Sequence, residues 1–272
     1  MPIRKIFVDS SRPQGRGEDF VYQCQQSVSC PLNAKAVIDE VLVPNTFFTV
    51  DSNRCYLYIR EGNLVDSTIT LTDVRAQIAT GHYSGFDLAT AVQTALNEAK
   101  TLSTSYAVSY SAQTGRLSID NPTSGSFAVQ SRAELLRLKA WAGVSFGHEP
   151  RDANSMVGVT GDEIRVAGLL QCANMVQLMP FQNVYLCSVG FGLPNQALGP
   201  SGESHILRKI PVDQPWGNML HNQHSTDLDY VDVSGQQLES LSFSLRDSKG
   251  RLVDLQGQHI SFTIHIILPP EI

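Results

Sequence analysis

The sequence contains few charged residues, which make up 17% of its 272 residues, whereas an average soluble domain has about 25%. Apolar residues make up 42%, so we expect much of the surface to be uncharged and polar, or covered by partners. The formal net charge of -6 argues against a chain whose main task is to coat nucleic acid, and we expect no nucleic-acid partner. Arg4, Lys5, Arg12 and Arg16 form the one basic cluster, which we interpret as a solvated N-terminal arm.

Long apolar runs are also missing. No segment approaches the roughly 18 apolar residues of a membrane-spanning helix, and the first residues lack the apolar stretch of a secretion signal. No Asn-X-Ser/Thr acceptor occurs, because Asn121 is followed by proline. We therefore expect an intracellular, soluble protein with no membrane span.

Cysteine is scarce, and its five copies form an odd set without Cys-X-X-Cys spacing. This spacing predicts neither a disulfide framework nor a zinc site. Cys55, Cys172 and Cys187 lie within apolar, strand-like runs. A free cysteine in such a run is usually a small buried hydrophobic residue, and we expect all three to be so.

The C-terminal part of the chain carries the strongest strand pattern. Residues 241–246 alternate between apolar and polar side chains, which is the period of a strand with one buried face. Asp247 and Gly250 supply the chemistry of a tight turn. Residues 260–267 alternate again, so we predict a second strand that pairs near the first and stops before Pro269.

Other strand-like runs, separated by turn residues, occupy both ends of the chain. They are predicted at 3–8, 20–24, 37–43, 55–60, 68–71, 164–167, 175–178, 184–189, 206–210 and 230–233, with a turn at 62–63. Long loops at 190–204 and 211–228 favour a sandwich or jelly roll over a meander of tight hairpins.

The middle of the chain has a different texture. Ser84 and Asp87 have the spacing of a capping box, and apolar residues at helical spacing follow, which predicts a helix of about fourteen residues. A hairpin is predicted at 106–120. Ser131 opens a second capping box, and the short helix that follows is predicted to include Trp141.

These elements predict a small inserted α+β module between all-β segments. We assign residues 1–73 and 164–272 to the all-β part and residues 74–163 to the module, with 152–161 as the linker back. The predicted fold class is therefore all-β, a single jelly roll built as an antiparallel sandwich, with an inserted α+β module.

Metal-binding patterns are weak. His221 and His224 would share a metal only on a helix, and their segment has no helical periodicity, so we interpret it as a polar loop. Asp227, Asp229 and Asp232 resemble a calcium loop, but no bidentate glutamate closes it. We interpret them as a solvated acidic edge strand and predict no metal.

Catalytic patterns are equally weak. Ser201 follows Gly199-Pro but lacks the last glycine of a nucleophile elbow. No spacing singles out His205 or His265 as a general base, and we interpret both as strand residues on a wet or interfacial face. Two glycine pairs lack the helix that a phosphate-binding loop needs, namely Gly158 with Gly161 and Gly190 with Gly192. We predict no catalytic residue, no cofactor and no enzymatic activity.

Several motifs resemble a known family. The C-terminal part is similar to the end of the penton-type minor capsid proteins of virophages and Polinton-like DNA viruses, through Leu245, Asp247, Gly250, Asp254, Leu255, Gly257 and the strand S-F-T-I-H-I. Three more segments resemble that family in the same order along the chain: V-P-N-T-F-F at 43–48, G-H-Y-S at 81–84 with the helix and hairpin after it, and I-L-R-K-I-P-V-D at 206–213.

The resemblance implies a structural protein of a virion capsid. A member of this family would form homopentamers at icosahedral vertices, contact a double jelly-roll major capsid protein, and assemble inside the host cell. It would hold the inserted module at the outer end and direct its N-terminal arm toward neighbouring capsid subunits or the interior.

Two other functions stay open. A jelly-roll fibre head or lectin would use the insertion or the 190–204 loop to bind a receptor or carbohydrate. An enzyme on a β-sandwich scaffold would need a bound metal, or histidines and carboxylates gathered in one pocket. Mass in solution distinguishes a penton from a fibre head, because a penton forms a pentamer and a fibre head forms a trimer.

Overall fold

The structure, a computed structural model, forms two compact units. The first consists of Met1–Phe47 and Phe181–Ile272, and the second of Phe48–Pro180. The described residues are 3–11, 14–65, 68–121, 126–147, 149–160, 163–165, 168–192, 199–200, 202, 205–223 and 229–269.

The first unit is an antiparallel sandwich. Its strands are β1 (Ile3–Asp9), β2 (Gln14–Arg16), β3 (Asp19–Ser29), β4 (Lys35–Pro44), β14 (Asn183–Cys187), β15 (Ile206–Pro211), β16 (Met219–Asn222), β17 (Val231–Asp232), β18 (Gln237–Arg246) and β19 (Ser261–Ile267). One sheet has the order β1-β19-β4-β16, with β17 also paired to β4, and the other has the order β15-β14-β18-β3-β2.

This strand order is that of a jelly roll. With the short strands β2 and β17 set aside, eight strands remain, and numbered along the chain they form sheets of order 1-8-3-6 and 5-4-7-2. Each sheet therefore alternates strands from the two ends of the unit, as two interleaved Greek keys require. The predicted fold class is confirmed.

One apolar core lies between the two sheets. It receives the inward side chains of both, and Phe243 of β18 meets Phe262 of β19 edge to face, with ring centroids 4.9 Å apart. Burying a phenylalanine side chain stabilises a fold by about 1.5–3 kcal/mol. The alternation of apolar and polar residues in β18 and β19 thus supplies the contact between the sheets.

The turn at Asp247 is present, but the predicted pairing of the last two strands is wrong. Gly250 donates its N–H to the Asp247 carbonyl at 3.1 Å, and Arg246 forms a bridge with Leu252. The chain then crosses to the opposite sheet, where β19 pairs with β1 and β4 while β18 pairs with β14 and β3. Alternation identifies the buried face of a strand and not the strand that lies beside it.

The strand predicted at 3–8 is present, so Arg4 and Lys5 lie in a sheet and not in a free N-terminal arm. Residues Ile3–Asp9 form β1, which pairs with β19 from Ile3 opposite Ile267 to Asp9 opposite Ser261. Val8 is buried in the core, with Ile6 packed against it. Arg12 lies outside the described residues.

The second unit has its own core. Its elements are β5 (Tyr56–Val65), β6 (Thr68–Gln77), α1 (Gly85–Ala99), β7 (Ala107–Ser111), β8 (Arg116–Asn121), β9 (Ser126–Val129), α2 (Arg132–Leu138), β10 (Ala140–Trp141), β11 (Val144–Ser145), α3 (Asn154–Val157), β12 (Glu163–Arg165) and β13 (Gly168–Gln171). The sheets have the orders β12-β9-β5-β6, β13-β8-β7 and β10-β11. Helix α1 packs against β6 and β7 through an apolar stripe that includes Leu88, Val92 and Leu96.

The first predicted helix of this unit is confirmed. Ser84 is its N-cap, and the Ser84 hydroxyl accepts a hydrogen bond from the Asp87 N–H at 3.2 Å. The predicted hairpin is present as β7 and β8. Helix α2 begins at its predicted cap Ser131, but it ends at Leu138 because Lys139 adopts a left-handed conformation with φ of 56°. Trp141 lies in β10 instead, where its indole N–H donates to the Val74 carbonyl at 3.0 Å.

The second unit is wider than the 74–163 module in the sequence assignment. Strand β5 pairs along its whole length with β6, passing through the turn predicted at 62–63, and it also pairs with β9. The predicted linker 152–161 contains α3, whose Met156 and Val157 are buried in this core. No strand forms at 175–178 among the described residues, although Val176 and Leu178 pack against the same core.

No helix in the described part of the chain is long and apolar enough to cross a membrane.

Candidate assembly surfaces

The segment after β4 connects several loops at one end of the jelly roll. The Asn45 side-chain N–H donates to the Gln214 carbonyl at 2.7 Å, and the Asn45 backbone exchanges bonds with Asn218 and Gly217. The Thr46 hydroxyl donates to the Leu255 carbonyl at 2.9 Å. The P-N-T-F motif therefore fixes the β15–β16 and β18–β19 connections.

The C-terminal motif has a similar structural role. The Asp247 carboxylate is buried and accepts bonds from the Lys249 and Arg251 backbone N–H groups at 2.8 and 2.9 Å, and from Arg251 Nε at 2.9 Å. Gly250 and Gly257 adopt φ of 75° and 77°, a region that favours glycine. The residues that carry the family resemblance thus determine the backbone path between the two sheets.

One edge of the first sheet combines apolar and basic side chains. We define the basic edge as Ile3, Arg4, Lys5 and Phe7 of β1. All four are exposed, Phe7 by 70% and Ile3 by 54%. Among the described residues β1 pairs with β19 alone, so its other side presents unpaired backbone groups. An exposed edge of this kind is a ready site for another chain.

The opposite edge of the same sheet combines apolar and acidic side chains. We define the acidic edge as Asp213, Trp216, Met219 and Asp232, which lie in the β15–β16 connection, β16 and β17. Trp216 and Met219 are exposed by 47% and 49%, and both aspartates are exposed. Hydrogen bonds from Ser234 lower the pKa of Asp232, so its carboxylate stays charged.

The outer face of the second sheet is uncharged and polar over much of β3 and β18. Gln23 of β3 lies opposite Ser240 of β18 and donates to its hydroxyl at 3.1 Å. Ser242 and Ser244 continue the same outward row. This part of the surface matches the low charge of the sequence.

The histidines and aspartates considered as metal ligands are arranged differently. His221 lies on β16, whereas His224 and Asp227 lie outside the described residues. Asp229 accepts a bond from Arg208 at 2.9 Å, and the same guanidinium donates to Asn222 at 2.8 Å. Within the described ranges no three histidine, cysteine or acidic side chains are grouped in a way that could hold a metal ion.

The residues considered for catalysis lie in unrelated places. His205 precedes β15 with φ of 73°, and its carbonyl accepts from the Ser188 N–H. His265 lies on the outer face of β19, with its Nδ1 3.9 Å from an Asp39 carboxylate oxygen. Ser201 lies outside the described residues. Gly158 caps α3, Gly190 and Gly192 follow β14, and Gly161 lies outside the described residues.

None of the five cysteines forms a disulfide, and Cys55, Cys172 and Cys187 are buried as predicted. Burial raises the pKa of the Cys55 thiol and of the Cys30 thiol. A thiol that stays protonated is a poor nucleophile and a poor metal ligand.

A buried carboxylate in the second unit was not predicted from the sequence. Glu61 of β5 is 1% exposed and accepts bonds from the Tyr106 hydroxyl at 2.7 Å, the Thr101 N–H at 2.7 Å and the Thr101 hydroxyl at 2.5 Å. Burial, together with the bond to Glu61, raises the pKa of Tyr106. Glu61 has the same strand parity as the core residue Ile59, and that parity was the available signal.

These hydrogen bonds give the Glu61 carboxylate a structural role. Both of its oxygens accept bonds from the segment after α1, so they fix that segment onto β5. Two neutral hydroxyls and an N–H donate to this buried carboxylate and stabilise its position, as buried polar groups require.

No family model matches the sequence, and no curated protein matches it. Among solved structures, that of the mavirus penton protein is similar, with a TM-score of 0.52 and 11% sequence identity. The similarity covers 98% of this chain and 99% of that chain. The chain therefore has the fold of a virophage penton protein, and the resemblance inferred from the sequence motifs is confirmed at the level of the fold.

Proposed function

We propose that this chain is a penton-type minor capsid protein, located in the virion, that forms homopentamers at icosahedral vertices and contacts a double jelly-roll major capsid protein. The observation that carries the proposal is the extent of the fold similarity. It includes nearly all of both chains, and so extends through the jelly roll and the insertion alike.

The surfaces of the first unit support self-assembly. A ring of identical subunits needs heterologous contacts, in which each copy presents two different patches that close by rotation. The basic edge and the acidic edge are two such patches, and they lie at opposite ends of the strand order β1-β19-β4-β16. A face made of one self-complementary patch would instead favour a two-fold dimer.

The polar chemistry favours a structural role over an enzymatic one. Protein donors hydrogen-bond to the carboxylates of Asp247, Glu61 and Asp229. Carboxylates used in this way hold loops and strands in place. The uncharged polar outer face of β3 and β18 suits close packing in a shell, because burying it removes few charges from water.

Native mass spectrometry and electron microscopy of the purified chain test the proposal. We expect particles of five times the 29.8 kDa of one chain, with five-fold projections, and incorporation into shells when the major capsid protein is co-expressed. A trimer that binds glycans would support a fibre head instead. A chain that stays monomeric and is left out of shells would contradict the proposal.

A further inference from the structure

We propose that the basic edge of one copy docks on the acidic edge of a second copy of this chain, and that this contact closes the ring. The inference rests on the proposed function, because it names the surfaces through which the homopentamer assembles. The occupant of each edge is a second copy of the chain, because the two edges are complementary.

The charges of the two edges are opposite. The basic edge has Arg4 and Lys5, which are consecutive on β1 and so point to opposite faces of the sheet. Lys5 shares its face with the exposed Ile3 and Phe7. The acidic edge has the exposed Asp213 three residues before Trp216, whereas Asp232 lies farther along the edge, since it is opposite Lys35 and Met219 is opposite Pro44. Asp213 is therefore the acidic charge that lies near the apolar residues of this edge. Opposite potentials on two surfaces steer their encounter and fix the register of the complex, while like edges repel each other.

The apolar side chains of the two edges are also matched. Phe7 and Ile3 on one edge, and Trp216 and Met219 on the other, are each about half exposed or more. Interfaces are enriched in aromatic residues and methionine, and their affinity is concentrated in a few such residues. Each edge therefore has an aromatic side chain near a charged one: Phe7 is two residues from Lys5 on the same face of β1, and Trp216 is three residues from Asp213.

The topology places the two edges correctly for a ring. β1 and β16 are the two ends of one four-strand path, so the edges lie on opposite sides of the sandwich. The β15–β16 connection, with Asp213 and Trp216, joins the two sheets on the acidic side. Each copy can then contact one neighbour through β1 and the other neighbour through β16, without using the same residues twice.

Sedimentation velocity over a range of concentrations, at low and high salt, tests the docking. Phe7→Ser should lower the association constant about tenfold to a hundredfold, from the apolar area no longer buried. Val189→Ser is the matched control, since Val189 is 74% exposed and lies on neither edge. We expect the control to assemble as the unmodified chain does.

Charge exchange gives a second and independent readout. Lys5→Glu alone and Asp213→Lys alone should each weaken assembly, and the double variant should restore it, because every junction again joins opposite charges. Lys249→Glu, an exposed residue between β18 and β19, controls for the change in net charge. High salt should reduce the differences among these variants.

Deuterium exchange of the unmodified chain identifies the residues that assembly protects. Assembly should slow exchange at 3–9 and at 213–222, and leave the turn at 247–252 unchanged. If the unmodified chain forms pentamers while the edge variants assemble normally and 3–9 gains no protection, the docking surfaces are wrong and the proposed function stands. A chain that is monomeric under every condition would overturn both.

Discussion

Asp247→Ala provides the sharpest test of how the C-terminal motif acts. The substitution removes the acceptor of two backbone N–H groups and of Arg251 Nε, at a carboxylate that is 4% exposed. A buried donor left without a partner costs about 1–3 kcal/mol. Water reaches part of this turn, so we expect a loss of about 2–4 kcal/mol in the free energy of unfolding.

Two variants serve as controls for that loss. Asp247→Asn keeps an oxygen for the backbone N–H groups and gives up the charge and the acceptor opposite the partly exposed Arg251, so it should cost about 1 kcal/mol. Asp254→Ala removes one exposed bond, from the Gln256 N–H, and should cost less than about 1 kcal/mol.

Urea unfolding followed by circular dichroism measures these losses. Deuterium exchange of peptides from β18 and β19 assigns them to the first unit. If Asp247→Ala costs less than about 1 kcal/mol, or if Asp247→Asn costs as much as Asp247→Ala, the backbone N–H groups do not depend on the carboxylate oxygen.

Three further predictions concern burial. Glu61→Ala should destabilise the second unit by about 3 kcal/mol or more in urea, since it leaves the Tyr106 hydroxyl and the groups of Thr101 unpaired; Glu61→Gln should cost less, and equal losses would contradict this role. Burial raises the pKa of Tyr58 to about 12 and also raises that of Tyr106. The folded state holds these protons more tightly than an unfolded tyrosine of pKa about 10, so the stability is complete below about pH 10 and is lost as the pH rises toward 12; unfolding midpoints at pH 9 and 11 should differ, and less so in Tyr58→Phe. With a thiol reagent at neutral pH, Cys24 should react alone in the folded protein and all five cysteines in urea; fast reaction of a second thiol would be contrary to the burial of the others.

The alternation of side chains predicted most strands of the jelly roll, because one face of each strand is buried in a shared core. Leu241, Phe243 and Leu245 are inward in the structure as the pattern indicates. The same pattern could not predict that β18 and β19 lie in opposite sheets, since strand partners depend on contacts distant in sequence. The pattern predicted a strand at 3–8, but it did not show that Arg4 and Lys5 belong to a paired strand and not to a solvated arm, because only Val8 of β1 is fully buried.

The surfaces and the buried polar groups were harder to predict. Asp247 and Gly250 were recognised, since turn chemistry is local. Glu61 was not, because its partners Thr101 and Tyr106 approach it only when the segment after α1 folds onto β5. The two edges are likewise a product of strand order, which brings Asp213 and Asp232 to one side of the sandwich and Lys5 to the other.

An aromatic pair joins the points where the chain leaves the first unit and returns to it. Phe47 and Phe181, the last residue before the insertion and the first residue after it, meet edge to face with ring centroids 5.4 Å apart. Both belong to the jelly roll and pack with its core. A domain whose chain leaves and returns at neighbouring positions tolerates changes in the segment inserted between them. Changes within 48–180 can therefore leave the backbone path of the jelly roll unaltered.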